Sequence, residues 1–376
     1  MKSLHHIASS TAIVLLLSAC FGSSSTPAEQ PEPPVGGDII RYNHLGLADF
    51  AVESLYHAGD SVWVAGDDGI YVSRNLDARN EDEAGWALQL DGYHFIHING
   101  FDATTLFALG LPEGSDHAEL YRSTDGGGHW SLIKHNFGTQ GDVVASSITR
   151  LLPDPETGYL YGVGADLLAI SYDQGNSWEV LSGEPGLIAR NFAINLHPQR
   201  NDLWWGGQNA IEQLLLHRFS LNDQTQESWQ ALLPSPSTVE AIVFDRSNSD
   251  RVFVGAEGGI AVSNNYGNEW QVVLSPDHHI FYMAIVQSQR FPEVWYSARW
   301  EKANQEHQLT FKYSTDRGNT WQRNVHPAGA GREGMRDMVL LSNAQDGQDV
   351  LWLGLQSGNW VGGGVMRVGV DLQVFN

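Results

Sequence analysis

The chain contains the stretch Ser314-Thr315-Asp316-Arg317-Gly318-Asn319-Thr320-Trp321, and its pattern Ser-x-Asp-x-Gly-x-x-Trp recurs. Copies read STDGGGHW, SYDQGNSW and SNNYGNEW, the last with asparagine in place of aspartate, and weaker relics end at Trp86 and Trp229. Recurrence at this spacing indicates a repeat architecture. The defining positions are Ser123, Asp125 and Trp130; Ser171, Asp173 and Trp178; Ser263, Asn265 and Trp270; Ser314, Asp316 and Trp321.

The pattern is typical of a hairpin turn. Aspartate is a short acceptor that bonds backbone N–H groups one to three residues further on, and glycine supplies the positive φ of a tight return. Tryptophan then starts the returning strand and buries its ring. Because its own turn saturates each carboxylate, we interpret Asp125, Asp173 and Asp316 as structural and not catalytic.

The repeated pattern is the Asp-box, and on these copies the chain resembles the Asp-box (BNR) β-propellers. The resemblance implies an all-β fold of four-stranded antiparallel blades with Asp-box turns. Relatives of this type include sialidase-like enzymes, and also photosystem assembly-factor-like and sortilin-type propellers that use the box for scaffolding. The resemblance therefore predicts an architecture and leaves the activity open.

A second repeat predicts the number of blades. An aliphatic residue followed by an aromatic one, with small residues and glycine just after, recurs in seven copies between residues 38 and 376, which gives about 48 residues per unit. We therefore expect a seven-bladed β-propeller over residues 38–376. The pairs are Val62-Trp63, Leu106-Phe107, Leu160-Tyr161, Leu203-Trp204, Val252-Phe253, Val294-Trp295 and Leu351-Trp352.

The last unit lacks an Asp-box, so the origin of its fourth strand is open. Either the C-terminal segment Leu372 to Phe375 or the N-terminal segment Ile39 to Tyr42 can supply it. We favour the N-terminal segment, because joining the two ends of the chain resists unzipping of the ring.

Residues 1–20 are interpreted as a lipoprotein signal peptide. The apolar run Ala12 to Leu17 is too short to span a bilayer, and Leu17-Ser18-Ala19-Cys20 resembles a bacterial lipobox. This resemblance implies lipidation at Cys20 and anchoring in the cell envelope. Phe21 follows the cysteine where an inner-membrane retention signal would have aspartate, which favours the outer membrane. Residues 21–37, rich in Ser, Pro and Glu, are expected to be a disordered tether.

The charge of the chain limits its partners. The formal net charge is -23, so nucleic acid and anionic lipid headgroups would repel it. We expect a protein or glycan partner that is neutral or cationic, contact with the membrane through the lipid anchor alone, a monomer and no cofactor. Cys20 is the single cysteine, which excludes an intramolecular disulfide.

In propellers that the chain resembles, two sets of loops crowd one mouth of the central channel. One set joins each outer strand to the next inner strand and the other joins second to third strands, and the Asp-box turns lie at the opposite end. This division suggests a cluster of binding residues on mouth loops. Trp300 and Trp360 are predicted on such loops, where each could stack on a ligand or fold back over its own loop; both interpretations stay open. The candidates are Arg190, Arg299, Trp300, Arg332, Arg336 and Trp360.

Histidines give a weak indication of a metal site. His278 and His279 are adjacent, and His94, His135 and His326 belong to other units. Adjacent side chains on an extended segment point to opposite faces, and no His-x-x-x-His or cysteine pair supplies preset ligand spacing. We therefore predict no metal site.

Catalysis is weighed against the enzymes of the same type. Sialidase-like propellers carry an Arg-Ile-Pro element in the first blade, but here Tyr42 follows Arg41, which argues against that activity. A hydrolase of the xyloglucanase type needs two opposed acids, and Glu333 with Asp337 is the one pair that we would name. We expect a non-catalytic envelope lipoprotein; the alternatives are a cell-surface carbohydrate-active enzyme, either a glycoside hydrolase or a lyase, and a lipoprotein that binds a metal or a small molecule.

Overall fold

The computed structural model describes residues 39–138, 147–165, 167–183, 190–274, 277–301, 309–326, 333–341, 348–357 and 363–372. The predicted signal peptide and tether, residues 1–20 and 21–37, lie outside these ranges and stay predictions. Within them, no helix is long and apolar enough to cross a membrane.

The described residues form 27 strands and one short helix. The chain opens with β1 (Ile40–His44) and a blade of β2 (Val52–Ala58), β3 (Ser61–Gly66), β4 (Gly69–Ser73), α1 (Glu81–Ala84) and β5 (Ala87–Asp91). The next two blades contain β6 (His94–Gly100), β7 (Leu106–Leu111), β8 (Glu119–Ser123) and β9 (Ser131–Ile133), then β10 (Ile148–Asp154), β11 (Tyr159–Gly164), β12 (Leu167–Ser171) and β13 (Glu179–Gly183).

The fourth and fifth blades contain β14 (Arg190–Leu196), β15 (Asp202–Gln208), β16 (Leu214–Ser220) and β17 (Thr225–Gln230), then β18 (Val239–Asp245), β19 (Asn248–Ser263) and β20 (Gln271–Val272). The last two contain β21 (Asp277–Gln287), β22 (Trp295–Glu301), β23 (Thr310–Ser314) and β24 (Gln322–Val325), then β25 (Glu333–Leu341), β26 (Gln348–Ser357) and β27 (Gly363–Asp371).

Each blade is an antiparallel sheet in which consecutive strands pair in chain order, except that β1 joins blade seven beside β27. Five blades are separate four-stranded sheets, whereas blades five and six join in one seven-stranded sheet. They join because β19 also pairs with β21, at Glu257 and Phe281. In blade five the long β19 serves as second strand and, beyond Gly258, as third strand against β20. The fold is the predicted seven-bladed β-propeller.

The N-terminal segment closes the ring, as predicted. Strand β1 pairs antiparallel with β27, with Ile40 opposite Val370 and His44 opposite Met366, so it is the outer strand of blade seven. The two ends of the chain therefore share one sheet. Since β27 ends at the face that carries the hairpin turns, β1 begins at that face and runs toward the other.

The aromatic residues of the second repeat fill the spaces between blades. All seven lie in the second strand of their blades, and none is more than 3% exposed. Trp352 of blade seven packs with Val52 and Val62 of blade one, and the rings of Phe253 and Trp295 in neighbouring blades lie 4.3 Å apart. Burying a side chain of this size stabilises the fold by roughly 2–3 kcal/mol, so this repeat explains how the blades adhere.

Each Ser-x-Asp/Asn-x-Gly-x-x-Trp stretch forms a turn with the same hydrogen bonds; we call these the box turns. In one, Ser171 Oγ donates to Asp173 Oδ1 over 2.9 Å and accepts from Gly175 N over 2.8 Å. Asp173 Oδ1 also accepts from Ser177 N, one residue further on than predicted. Gln174 and Gly175 have φ of 57° and 95°, as in a I′ hairpin turn. The other three, at Ser123, Ser263 and Ser314, repeat these bonds.

Candidate functional site at the channel mouth

The inner strand of every blade carries a β-bulge at an equivalent position. In each, the register with the second strand shifts by one residue, which leaves one residue unpaired. Bulges re-aim side chains and occur beside functional sites. We call these seven residues the bulge ring: Glu53, Ile96, Thr149, Phe192, Glu240, Met283 and Arg336.

Five members of the bulge ring, Glu53, Phe192, Glu240, Met283 and Arg336, line cavities in the central channel. The channel contains two cavities of about 190 and 250 Å³. Both are walled by the inner strands and share six lining residues, which makes them neighbouring parts of one space. The shared residues are His97, Asn99, Arg150, Glu240, Met283 and Asp337.

A buried ion pair joins two ring members at the mouth, the channel end where inner strands begin. Arg336 Nε lies 3.1 Å from Glu53 Oε2, and Gln356 Nε2 donates to Glu53 Oε1 over 2.7 Å. His94 Nε2 lies 3.4 Å from the same Oε1. Burial alone would raise the pKa of Glu53, but Arg336 and the His94 and Gln356 contacts outweigh it and lower that pKa to about 2. Glu53 is therefore a fixed anion.

An aromatic cluster packs beside this pair. The ring of Trp300 lies 5.3 Å from that of Phe281 and packs with Met283, and the Arg336 guanidinium lies 5.8 Å from the Trp300 ring. Trp300 is 3% exposed. Of the two interpretations left open for Trp300, its burial favours a ring that folds back onto the protein over one that is exposed for stacking on a ligand. A Cβ on Gly334 would lie 2.6 Å from Trp300 Cδ1, so glycine is what admits the ring.

Asp337 is a second carboxylate in the channel, held by the backbone. Its Oδ2 accepts from Leu55 N and its Oδ1 from Met338 N, both over 2.7 Å. Burial raises the pKa of Asp337 to about 6, against the opposing effect of those two bonds and of Arg150 and Arg336. Both oxygens already have donors, which is unlike an acid that is open to a substrate.

Arg150 of blade three and Glu240 of blade five line the same two cavities. Arg150 Nη1 donates to Thr149 O over 2.7 Å. Burial raises the pKa of Glu240 to about 7, although Arg336 and Arg150 act in the other direction. Neighbouring His97 is neutral, since burial and then Arg150 lower its pKa to about 3; its Nε2 contacts Leu151 O over 3.0 Å.

The remaining predicted site residues do not converge on this cluster. Arg299 and Trp300 lie in β22 and not in a loop, and Arg299 Nη2 lies 2.9 Å from Glu301 Oε2 in the same strand. Arg190 and Glu333 begin β14 and β25, but their side chains lie outside the described part. Arg332, Trp360 and Cys20 lie outside the described residues altogether.

The histidines are spread over several environments. His94 contacts Glu53, with 3.4 Å between its Nε2 and Glu53 Oε1. The rings of His326 and Tyr42 lie 4.8 Å apart. His135 Nδ1 accepts a hydrogen bond from Phe137 N over 3.3 Å. The described part of the chain contains no group of three or more histidine, cysteine or acidic residues that could hold a metal ion.

Sequence reasoning did not name Glu53, Arg150 or Glu240. The available signal was a charged residue inside an otherwise apolar inner strand, as in Val239-Glu240-Ala241. Equivalence between blades was hidden because the distance from bulge to buried aromatic varies, from ten residues between Glu53 and Trp63 to sixteen between Arg336 and Trp352. Only the pairing register of the strands locates the bulges, and the bulges show that these positions are equivalent from blade to blade.

Comparison with known proteins supports the fold and reaches no further. No protein-family model matches the chain, and no curated protein is detectably similar to it.

Solved structures do match. YCF48 bound to D1 peptide has a TM-score of 0.60 and 16% identity, covering 92% of this chain and 99% of that one. YCF48 from Cyanidioschyzon merolae has a TM-score of 0.59 and 12% identity, covering 87% and 98%. An ancestral GH74 enzyme has a TM-score of 0.54 and 16% identity, covering 70% of this chain and 35% of that one. At these identities the chain shares the β-propeller fold of these proteins.

Proposed function

We propose that this chain is a non-catalytic envelope lipoprotein whose propeller mouth binds a segment of a protein partner. The observation that carries this proposal is the composition of the bulge ring. The fold does not require charge at a bulge position, since Ile96, Phe192 and Met283 occupy equivalent positions. Three others nevertheless carry charged side chains, namely Glu53, Glu240 and Arg336. Removing charges from water costs several kcal/mol each before their pairing compensates, so we infer that these residues are retained for binding.

The engagement of the acids supports binding over hydrolysis. Glycoside hydrolysis in its common form needs two carboxyl groups that both reach the substrate. Both oxygens of Glu53 and both of Asp337 already have donors. Among the described channel side chains this leaves Glu240 as a single acid without a hydrogen bond.

A protein partner fits the mouth better than a glycan. Trp300 is buried, so it offers no face for stacking on a sugar ring. The net charge of -23 favours a neutral or basic segment. YCF48, which shares the fold, has been solved with a bound D1 peptide; this is a precedent for peptide binding by such a propeller. The repeated box turns support placing the chain among Asp-box propellers, including those that act in scaffolding or assembly.

Anchoring at Cys20 in the outer membrane is part of the proposal. Strand β1 begins at the face of the box turns, so residue 39 leaves the propeller opposite the mouth. Replacing Cys20 by serine should release the protein from membranes and abolish labelling by radioactive palmitate. A Cys20→Ser protein that still sediments with membranes contradicts the anchor.

Site-specific photocrosslinking in intact cells tests the binding face. A photoreactive residue replaces exposed Asp68 in the β3–β4 turn at the mouth, and its matched control replaces exposed Asn176 in a box turn. The proposal predicts a discrete protein adduct from position 68 and none from position 176. Adducts from position 176 alone, or from neither position, contradict it.

The carbohydrate-active alternative rests on one observation. Glu240 and Asp337 share a cavity, and burial raises the pKa of Glu240 to about 7 and of Asp337 to about 6. A carboxyl group that keeps its proton near neutral pH can act as a general acid. Release of reducing sugar from a polysaccharide panel, abolished in Glu240→Gln, would replace the binding proposal by this one.

A further inference from the structure

Arg150 and Glu240 share the channel cavities but do not pair with each other. Among the described residues, Arg150 has one hydrogen bond, to the carbonyl of Thr149, and forms no ion pair. Glu240 has no hydrogen bond to a described residue. An arginine and a glutamate that line one cavity without contacting each other can be bridged by a ligand with a charged group at each end.

The other charged residues near Glu240 do not supply it with a partner. Arg336 forms its ion pair with Glu53. Glu257, in the same blade as Glu240, is a second acid that raises the pKa of Glu240. If all three channel acids and both arginines are ionised, the group of Glu53, Glu240, Asp337, Arg150 and Arg336 carries one net negative charge. An anion alone would deepen the repulsion at Glu240, and a cation alone would leave Arg150 without a partner.

The space between them suits a small molecule with polar ends and an apolar middle. The larger cavity, about 250 Å³, is walled by Ile194, Ile285 and Met338 as well as by the charged residues. It exceeds the roughly 150 Å³ that admits benzene in an engineered protein cavity.

We propose that the channel binds a small zwitterion, with its carboxylate on Arg150 and its ammonium group on Glu240. The planar guanidinium can hold a carboxylate through two parallel hydrogen bonds, and the Glu240 carboxylate accepts from the ammonium. Such a ligand adds no net charge and yet gives both side chains a partner. This site lies inside the channel and does not depend on a protein partner at the mouth.

Calorimetric titration of the full-length protein tests the proposal with ligands of graded length. Glycine, β-alanine, 4-aminobutanoate and 6-aminohexanoate separate the two charges by increasing distances, and butanoate and butylamine each carry one of them. One or two neighbouring lengths should bind. Both single-charge compounds should bind at least about tenfold more weakly, since each lacks one of the two charge-assisted hydrogen bonds. Absence of binding across the series, or equal binding of butylamine, overturns the proposal.

Variants separate the site from the fold. Glu240→Gln keeps the side-chain shape and removes an unpaired carboxyl, so it should fold, and it should weaken the best zwitterion at least about tenfold. Arg150→Met should do the same if its thermal midpoint is preserved. Glu179→Gln, at an exposed position that begins β13, is the matched control and should bind as the wild type does.

Proton release provides a signature that a purely structural role would not produce. Burial raises the pKa of Glu240 to about 7, so near pH 6.5 an arriving ammonium group should ionise it and release a proton. Titrations in buffers of different ionisation enthalpy should detect this release in the wild type and not in Glu240→Gln. Equal proton release, or equal affinity, in the two proteins contradicts the assignment.

Discussion

The box turns and the bulge ring lie at opposite parts of the propeller and are built in opposite ways. At the turn face, four blades use the same three hydrogen bonds, and the Asn265 copy keeps them with a neutral side chain. In the bulge ring, the backbone repeats in all seven blades while the side chains change between acid, base, hydroxyl, aromatic and aliphatic. Repeated chemistry thus supports the fold, and chemistry that differs on a repeated backbone indicates a site.

The largest expected effect comes from breaking the ion pair of the ring. Arg336→Met leaves Glu53 buried without its cation, which should lower the free energy of unfolding by about 3–5 kcal/mol. Adding Glu53→Gln should recover most of that loss, because the two neutral side chains need no charge partner. Urea denaturation of both variants measures the difference, and a double variant no more stable than Arg336→Met contradicts the pairing.

Two glutamates of the ring should respond to pH in opposite directions. Glu53 has a lowered pKa, so its contribution to stability is present above the unfolded value near 4.5 and is lost as pH falls toward about 2. Glu240 has a raised pKa, so the folded protein holds its proton more tightly and stability falls as pH rises from about 4.5 to about 7. At pH 7.5, Glu53→Gln should destabilise and Glu240→Gln should stabilise, each on the order of 2 kcal/mol. Thermal unfolding of the two variants from pH 3 to 8 measures these changes in stability. Changes of the same sign in Glu53→Gln and Glu240→Gln would contradict the opposite environments assigned to the two side chains.

The smallest expected effects are at the box turns. Ser171→Ala removes the acceptor of Gly175 N and should cost about 1 kcal/mol. Asp173→Asn should cost less than that, since asparagine keeps an acceptor oxygen for Ser177 N, as Asn265 does for Glu269 N in its own turn. Neither change should alter crosslinking at the mouth. A loss above that of Arg336→Met would reverse the comparison between the two regions.

The sequence was sufficient for the parts of the fold that repeat. The serine, aspartate and glycine of each box turn act within eight neighbouring residues, and each buried aromatic follows an aliphatic residue, so both patterns are local. The missing box in the last blade left the origin of its fourth strand open, and the preference for the N-terminal segment Ile39 to Tyr42 is confirmed by the strand Ile40–His44.

The site depends on contacts that are far apart in the chain. Glu53 meets Arg336 across 283 positions, and Asp337 meets Leu55 across 282. Asp337 and Arg336 were named from position alone, without their partners, and Trp300 was placed in a loop although it is buried in β22. Sequence reasoning could not supply the register of the seven bulges, because the turns between inner and second strands differ in length.

The most direct test of the central claim is the crosslinking yield from position 68 in the Glu53→Gln, Arg336→Met double variant. The claim is that the charged ring is retained for binding and not for stability. It predicts a free energy of unfolding close to that of the wild type together with loss of the protein adduct. An undiminished adduct from a folded double variant would contradict it.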